Sequence, residues 1–166
     1  MYKRIFREIE MQNRKNMYYG FTLVEVIIVV MILAIISLVS VPMLSNAESF
    51  QVKSAANMIA SDLEYARSMA ITTGQSHSVV FDISNESYEI QDSGGSVIAH
   101  PVKIGSNYAV DFTSDSRLDR VDIVSASTAT FNYIGAPVSG GTISLTAGNS
   151  SMAISIEAVT GYISIQ

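Results

Sequence analysis

The chain has 166 residues, enough for one domain and an anchoring segment. Only 15% of its residues are charged, against roughly 25% in an ordinary soluble protein, and its mean hydropathy is +0.31. Both values favour a membrane segment or an unusually apolar surface. The absence of cysteine excludes disulfides, cysteine-based metal sites and thiol nucleophiles.

Charge is distributed unevenly along the chain. Residues 1–20 contain five basic and two acidic residues, a net charge of +3, whereas residues 21–166 contain five basic and thirteen acidic residues, a net charge of −8. A basic head and an acidic body are typical of segments that face different environments. The last 45 residues contain no lysine or arginine, so phosphate contacts would lack their main electrostatic contribution and a nucleic-acid partner is not expected.

An apolar run from Phe21 to Val41 follows the basic head. At ~1.5 Å per residue, a helix of this length spans roughly 31 Å, about one hydrocarbon thickness of a bilayer. That length argues against a buried strand, although many of the residues are β-branched. Because basic residues flank the run only on its N-terminal side, residues 1–20 are expected in the cytoplasm and residues 42–166 outside.

Pro42 follows the apolar run and predicts a kink or a brief interruption of the helix. Beyond it, apolar residues recur every three or four positions, which is typical of one face of an amphipathic helix. Asp62, Glu64 and Arg67 fall outside this stripe. The pattern predicts one helix over about 21–73, and the stripe consists of Val52, Ala55, Ala56, Ile59, Leu63, Ala66 and Ala70.

After residue 74 the apolar pattern changes to a period of two, which predicts strands. The clearest features are a hairpin with its turn at residues 82–86 and a C-terminal meander in which Ile154 and Ile156 face one way and Ser155 the other. A helix followed only by strands is an α+β order. Strands are predicted at residues 77–81, 87–91, 96–100, 108–112, 128–133, 142–145, 152–157 and 162–165.

Gly20 and Phe21 join the basic head to the apolar run, and Glu25 lies inside that run. A signal peptide would have its small-residue cleavage site after the apolar segment, whereas here the small residue precedes it. A carboxylate in a transmembrane helix costs ~2.5–3.5 kcal/mol at the centre and less near an end, so Glu25 needs a partner. Cleavage of the Gly20–Phe21 bond would supply one, the new α-ammonium group of Phe21.

The segment Gly20-Phe21-Thr22-Leu23-Val24-Glu25, joined to its apolar helix, resembles the processing and methylation signature of type IV prepilins and pseudopilins. This resemblance implies that a membrane aspartyl peptidase cuts after Gly20 and N-methylates Phe21. It also implies that Glu25 is needed for methylation or for assembly. Pro42 matches a proline that is common in the helix of this family.

A second segment, Leu63–Ile71, followed by Gly74-Gln75 and a first strand, resembles the GspH/FimT group of minor pseudopilins, which carries an L-x-x-AR-x-x-A motif here. Chains of this group also tend to end in a strand, a Thr-Gly turn and a short last strand, as residues 154–165 do. The resemblance implies a pilin-like fold with a pair of β-sheets against the helix. The alternative is that Ala66 and Arg67 are simply one core and one surface position of a helix.

Four segments are therefore expected: a cytoplasmic leader at 1–20, a transmembrane and assembly helix at 21–41, its amphipathic continuation at 42–74 and a β-rich periplasmic domain at 75–166. The implied function is that of a minor pseudopilin, a structural subunit of a type II secretion pseudopilus; the alternative is a minor type IV pilin. The implied partners are the prepilin peptidase, other pilin subunits that contact the N-terminal helix, and an assembly platform in the inner membrane.

The remaining polar clusters match no catalytic or metal-binding pattern. The acidic stretch at residues 111–122 lacks EF-hand spacing, so a solvated loop is the better interpretation. His77 and His100, the only histidines, lie in separate predicted strands without metal-ligand spacing or a nucleophile motif. The sequence therefore predicts neither an enzyme nor a cofactor or metal site.

Overall fold

The computed structural model describes residues 20–166, with the side chains of residues 38–46 left undescribed. The predicted leader thus lies, apart from Gly20, outside the described residues. The described part contains one α-helix, one short 3-10 helix and eight strands. The chain divides into two compact units, Met1–Val41 and Pro42–Gln166.

Helix α1 extends from Leu23 to Thr73. It continues through Pro42, so the predicted interruption of the helix does not occur. It ends where Gly74 adopts a φ of +68°, the left-handed conformation that commonly follows a helix C-terminus. The stripe that was predicted from Val52 to Ala70 is buried along its whole length.

The strands form two antiparallel sheets of four strands each, with the orders β3-β2-β1-β5 and β4-β6-β7-β8. A 3-10 helix, Ile83–Asn85, connects β1 to β2. The strands are β1 His77–Asp82, β2 Ser87–Gln91, β3 Ala109–Asp111, β4 Asp122–Ser125, β5 Ala129–Phe131, β6 Gly141–Ala147, β7 Ser150–Ile156 and β8 Ile163–Ile165.

The helix stripe and the inner faces of both sheets share one hydrophobic core. Ile59 and Leu63 from α1, Ile90 from the first sheet, and Leu145 and Ile154 from the second sheet are all 0% exposed. Each such side chain contributes about 1.5–3 kcal/mol by leaving water. The predicted α+β fold, a helix packed on antiparallel sheets, is confirmed.

One strand prediction was wrong, and one strand was missed. Residues 96–100 form only isolated bridges, Gln91 with Val97 and Ala99 with Asn107. Strand β4 was missed because it begins inside the acidic stretch and buries only Ile123 of its four residues. One buried side chain cannot produce a recognisable alternation of apolar and polar residues.

Glu86 connects the β1–β2 hairpin of the first sheet to β4 of the second. Its φ is +47°, a left-handed conformation that is uncommon for a residue with a side chain. Its carboxylate Oε2 accepts a hydrogen bond from the N–H of Ile123 at 2.6 Å, and its carbonyl oxygen accepts one from the N–H of Phe112 at 3.0 Å. These two bonds hold Glu86 in this conformation.

Candidate processing and assembly site

The Gly20–Phe21 junction is exposed and lies outside the helix. A Cβ at Gly20 would meet no atom within 4 Å. The side chain of Phe21 is 83% exposed. Within the described residues, no packing contact accounts for the glycine.

Thr22 and Glu25 define the start of α1. The Oγ1 atom of Thr22 accepts a hydrogen bond from the N–H of Glu25 at 3.2 Å, and its carbonyl oxygen accepts one from the N–H of Val26 at 3.2 Å. Thr22 is therefore the N-cap residue, and Glu25 is the third residue of the helix. At this place a carboxylate also interacts favourably with the helix dipole.

Large apolar side chains surround α1 beyond Glu25. They are between 48% and 66% exposed from Val26 to Ile36, on every side of the helix. Exposed apolar surfaces of this extent mark contact with protein or membrane. Within the described part of the chain, no helix is long and apolar enough to cross a membrane.

The predicted site residues fall into two groups. Gly20, Phe21 and Glu25 come together at the N-terminal end of α1. Pro42 lies further along the same helix, and its side chain is outside the described residues. Its predicted role in assembly therefore stays a prediction.

Arg67, the arginine of the L-x-x-AR-x-x-A motif, makes contacts that the sequence did not predict. Its Nε donates to the carbonyl oxygen of Gly135 at 3.0 Å, and its NH2 group donates to the carbonyl oxygen of Thr160 at 3.2 Å. An ion pair with Glu64 at 3.7 Å adds to these contacts. The Arg67 guanidinium group thus connects the helical Leu63–Ile71 segment to the C-terminal Thr-Gly turn. These contacts argue against the alternative that Arg67 is simply a surface position of the helix.

Asp62 is buried at 8% exposure, contrary to the prediction that it falls outside the stripe. Its carboxylate accepts hydrogen bonds from the hydroxyl groups of Tyr88 at 2.5 Å and Tyr108 at 2.8 Å. The spacing of Ala55, Ile59, Asp62 and Ala66 is itself three or four residues. That spacing was the signal that could have placed Asp62 on the buried face.

The two tyrosines have a perturbed ionisation because of this environment. Burial raises the pKa of Tyr88 well above its usual value, and the neighbouring Asp62 carboxylate raises it further. The pKa of Tyr108 is raised by burial and by its hydrogen bond to Asp62. The Tyr108 ring also stacks on Tyr65 at 5.4 Å and on His100 at 4.6 Å between centroids. The cluster is a polar element of the core in which both hydroxyl groups stay protonated.

The acidic stretch consists largely of locally bonded turns. Asp111 accepts from the N–H and the hydroxyl of Thr113, and Asp115 pairs with Arg117 at 2.6 Å. That hydrogen bond to Arg117 is the largest cause that lowers the pKa of Asp115 to about 2. In the described part of the chain, no group of three or more histidine or carboxylate residues is arranged to hold a metal ion.

Residues 55–160 match the protein family described as type II transport protein GspH. The chain belongs to the GspH family. Residues 15–41 also match the prokaryotic N-terminal methylation motif, which spans the Gly20–Phe21 junction. Membership confirms the predicted resemblance to prepilins and pseudopilins, and the family is one of structural pseudopilin subunits.

Two solved structures are similar to this GspH-family chain. One is the minor pseudopilin EpsH from the type 2 secretion system of Vibrio cholerae, which is 13% identical in sequence with a TM-score of 0.55. The match covers 70% of this chain and 96% of the EpsH chain. The other is the type IV minor pilin FimU of Pseudomonas aeruginosa, which is 19% identical with a TM-score of 0.49. That match covers 69% of this chain and 87% of the FimU chain. No curated protein sequence matches the chain.

Membership of the family gives the chain its class of function. It is a pilin-like structural subunit, membrane-anchored through its N-terminal segment before it enters a pilus-like filament. The family implies contact with other pilin subunits, and the methylation motif implies processing by a prepilin peptidase.

Proposed function

We propose that the chain is the precursor of a minor pseudopilin that is cut between Gly20 and Phe21 and N-methylated at Phe21. The observation that carries this proposal is the methylation motif at residues 15–41, which coincides with an exposed junction. Gly20 is exposed, and a Cβ there would meet no atom within 4 Å. A peptidase that requires a small residue before the cleaved bond would account for glycine at position 20.

The subunit is proposed to sit in the inner membrane as a single-pass protein before assembly. Residues 1–20 form the cytoplasmic leader, residues 21–41 the membrane and assembly helix, residues 42–74 its amphipathic continuation and residues 75–166 the periplasmic domain. The net charge of +3 on residues 1–20 supports this orientation. The exposed apolar side chains of the first part of α1 support its burial in lipid first and among other helices later.

Glu25 is proposed to pair with the Phe21 ammonium group of a neighbouring subunit in the filament. Phe21 precedes the helix, so the ammonium group created by cleavage is not engaged in helical hydrogen bonding. In a bundle of apolar helices, an unpaired carboxylate would be costly. The pair would therefore favour one axial register between subunits, after an inner-membrane platform lifts the subunit out of the bilayer.

A type II secretion pseudopilus is the proposed filament. The support is the family itself, which is described as a type II transport protein. Deletion of the gene should then abolish secretion of proteins through the outer membrane and leave surface pili intact. Loss of pili with normal secretion would instead indicate a minor type IV pilin.

The direct test of processing is the mass of the N-terminal peptide of the chain isolated from cells. With an active prepilin peptidase, we expect a peptide that starts at singly methylated Phe21. In cells without the peptidase, the same chain should retain residues 1–20. An uncut chain in the presence of the active peptidase would refute the proposal.

A further inference from the structure

Two residues separate the proposed cleavage site from the helix. Gly20, Phe21 and Thr22 are non-helical, and α1 begins at Leu23. The Thr22 side chain accepts the Glu25 N–H at 3.2 Å, a backbone group that would otherwise lack an intrahelical partner. This single hydrogen bond fixes the residue at which the helix starts.

The start of the helix matters because of the sequence upstream. Residues 1–19 contain neither proline nor glycine, the two residues that disfavour helix most. Gly20 is thus the only strong helix-disfavouring residue before the apolar run. Without an N-cap at Thr22, the helix could extend toward the N-terminus and include the Gly20–Phe21 bond.

A helical peptide bond is a poor substrate for hydrolysis. Its N–H and C=O groups are engaged in hydrogen bonds four residues apart, so the segment must unfold locally before an enzyme can bind it in an extended form. In the cleavage step, water adds to the carbonyl carbon of Gly20 and the C–N bond to Phe21 breaks. The leaving nitrogen takes up both protons of the water, which leaves a carboxylate on Gly20 and an α-ammonium group on Phe21.

We propose that Thr22 is a positioning residue for this cleavage: by capping α1 at Leu23, it keeps the Gly20–Phe21 bond outside the helix and open to the peptidase. This inference rests on the proposed function, since it concerns the same bond. It assigns to Thr22 a role that depends on its hydrogen-bond acceptor. Serine and asparagine, which cap helices at least as well as threonine, should fulfil the same role.

The test compares cleavage rates of full-length chains in membrane vesicles with added prepilin peptidase, followed by mass spectrometry. Thr22→Val, which keeps the shape and removes the acceptor, should be cut about three- to tenfold more slowly, as expected for loss of an N-cap. Thr22→Ser and Thr22→Asn should be cut at close to the wild-type rate. Thr73→Val, the same change at the other end of α1 where the hydroxyl bonds to Met69, serves as the matched control.

A structural measurement accompanies the rates. Hydrogen exchange of the Glu25 amide, measured on the full chain in detergent micelles, should accelerate in Thr22→Val and stay slow in Thr22→Ser and Thr22→Asn. Slow cleavage of Thr22→Val with an unchanged Glu25 amide would overturn the inference.

Two other outcomes would also overturn it. One is cleavage of Thr22→Val at the wild-type rate. The other is slow cleavage of Thr22→Asn, which would mean that the peptidase recognises the threonine hydroxyl itself. In each of these cases the wild-type chain is still cut, so the proposed function stands, whereas a wild-type chain that stays uncut would remove both proposals.

Discussion

Arg67 and Gly135 are joined by a hydrogen bond of 3.0 Å between the guanidinium Nε and the backbone carbonyl oxygen. The same guanidinium group reaches the carbonyl oxygen of Thr160, so one side chain of α1 holds the β5–β6 loop and the β7–β8 turn. These two turns also touch each other, because a Cβ at Gly161 would lie 3.0 Å from Pro137. The arginine of the family motif and the C-terminal Thr-Gly turn therefore form one structural unit.

Replacement of Arg67 by methionine should destabilise the globular unit. Methionine retains most of the apolar stem but loses both hydrogen bonds to carbonyl oxygens, each of which has a charged donor. Because Arg67 is partly exposed, we expect a loss of about 1–3 kcal/mol in the free energy of unfolding. Urea unfolding of a fragment that begins at Pro42 measures it, with exposed Arg120→Met as the matched control. Equal stability of the two variants would contradict the assigned role.

Gly135→Ala should be more harmful than Gly74→Ala, although both glycines have a positive φ. At Gly74 a Cβ meets open space, whereas at Gly135 it would lie 2.7 Å from Cδ1 of Ile71. Both variants carry the left-handed strain of about 1 kcal/mol, and only Gly135→Ala must also displace Ile71 and the Arg67 stem. In thermal unfolding, the unfolding temperature should be highest for wild type, lower for Gly74→Ala and lowest for Gly135→Ala. The reverse order of the two variants would disprove the close approach of Gly135 to Ile71.

Asp62→Leu should destabilise the core by leaving two buried hydroxyl groups without an acceptor. Each unsatisfied group costs about 1–3 kcal/mol, so we expect a total loss of about 2–5 kcal/mol. Combining Asp62→Leu with Tyr88→Phe and Tyr108→Phe removes the unsatisfied groups and should restore much of the stability. Glu64→Gln, a change of an exposed carboxylate on the same helix, is the control. A triple variant no more stable than Asp62→Leu would argue against the hydrogen-bonded cluster.

The same cluster predicts a loss of stability at alkaline pH. The pKa values of Tyr88 and Tyr108 are raised by burial and by Asp62, whereas tyrosine in the unfolded chain ionises at about 10. Above that pH the unfolded chain releases these protons and the folded chain retains them, so ionisation favours unfolding. The stabilisation is complete below pH about 10 and is lost as the pH rises toward the folded-state values.

Urea unfolding between pH 9 and 11.5 measures this loss as a fall in the free energy of unfolding. The exposed Tyr133→Phe variant should show the same fall as wild type, whereas the triple variant of Asp62, Tyr88 and Tyr108 should show a much smaller one. A fall of equal size in the triple variant would assign the alkaline transition to other groups.

The sequence predicted those features that follow from periodicity. The stripe from Val52 to Ala70 could be predicted because every member is apolar and spaced for one helix face. The hairpin and the C-terminal meander alternate cleanly over five or more residues, as Gly141–Ala147 does. These patterns suffice for the α+β class and for the helix-on-sheet arrangement.

The features that were missed depend on contacts between distant parts of the chain. Arg67 reaches Gly135 and Thr160, which are 68 and 93 residues away, and no local pattern encodes such pairs. Asp62 was placed outside the stripe although its spacing fits the buried face, because the tyrosines that pair with it lie on other elements. The candidate site at Gly20, Phe21 and Glu25 was predictable because all of its residues are consecutive or one turn apart.

Glu25→Gln should leave membrane insertion and cleavage intact and impair incorporation into the filament. Glutamine keeps the size of the side chain and its favourable place in a helix, but it removes the charge that would meet the Phe21 ammonium group of a neighbouring subunit. Because 1.4 kcal/mol corresponds to a factor of ten in an equilibrium, loss of a charge pair in an apolar bundle should reduce incorporation by about tenfold or more.

The measurement is the fraction of the mature subunit found in sheared filaments relative to the membrane, by quantitative immunoblotting. Glu64→Gln, the same change at an exposed carboxylate of the globular unit, should be incorporated as wild type. Prior mass spectrometry must show that both variants start at Phe21, so that a processing defect is not mistaken for an assembly defect. If mature Glu25→Gln is incorporated as well as Glu64→Gln, the Glu25 charge does not take part in assembly. The presence of Glu25 in the apolar helix would then have to be explained by the helix dipole and the Thr22 cap alone.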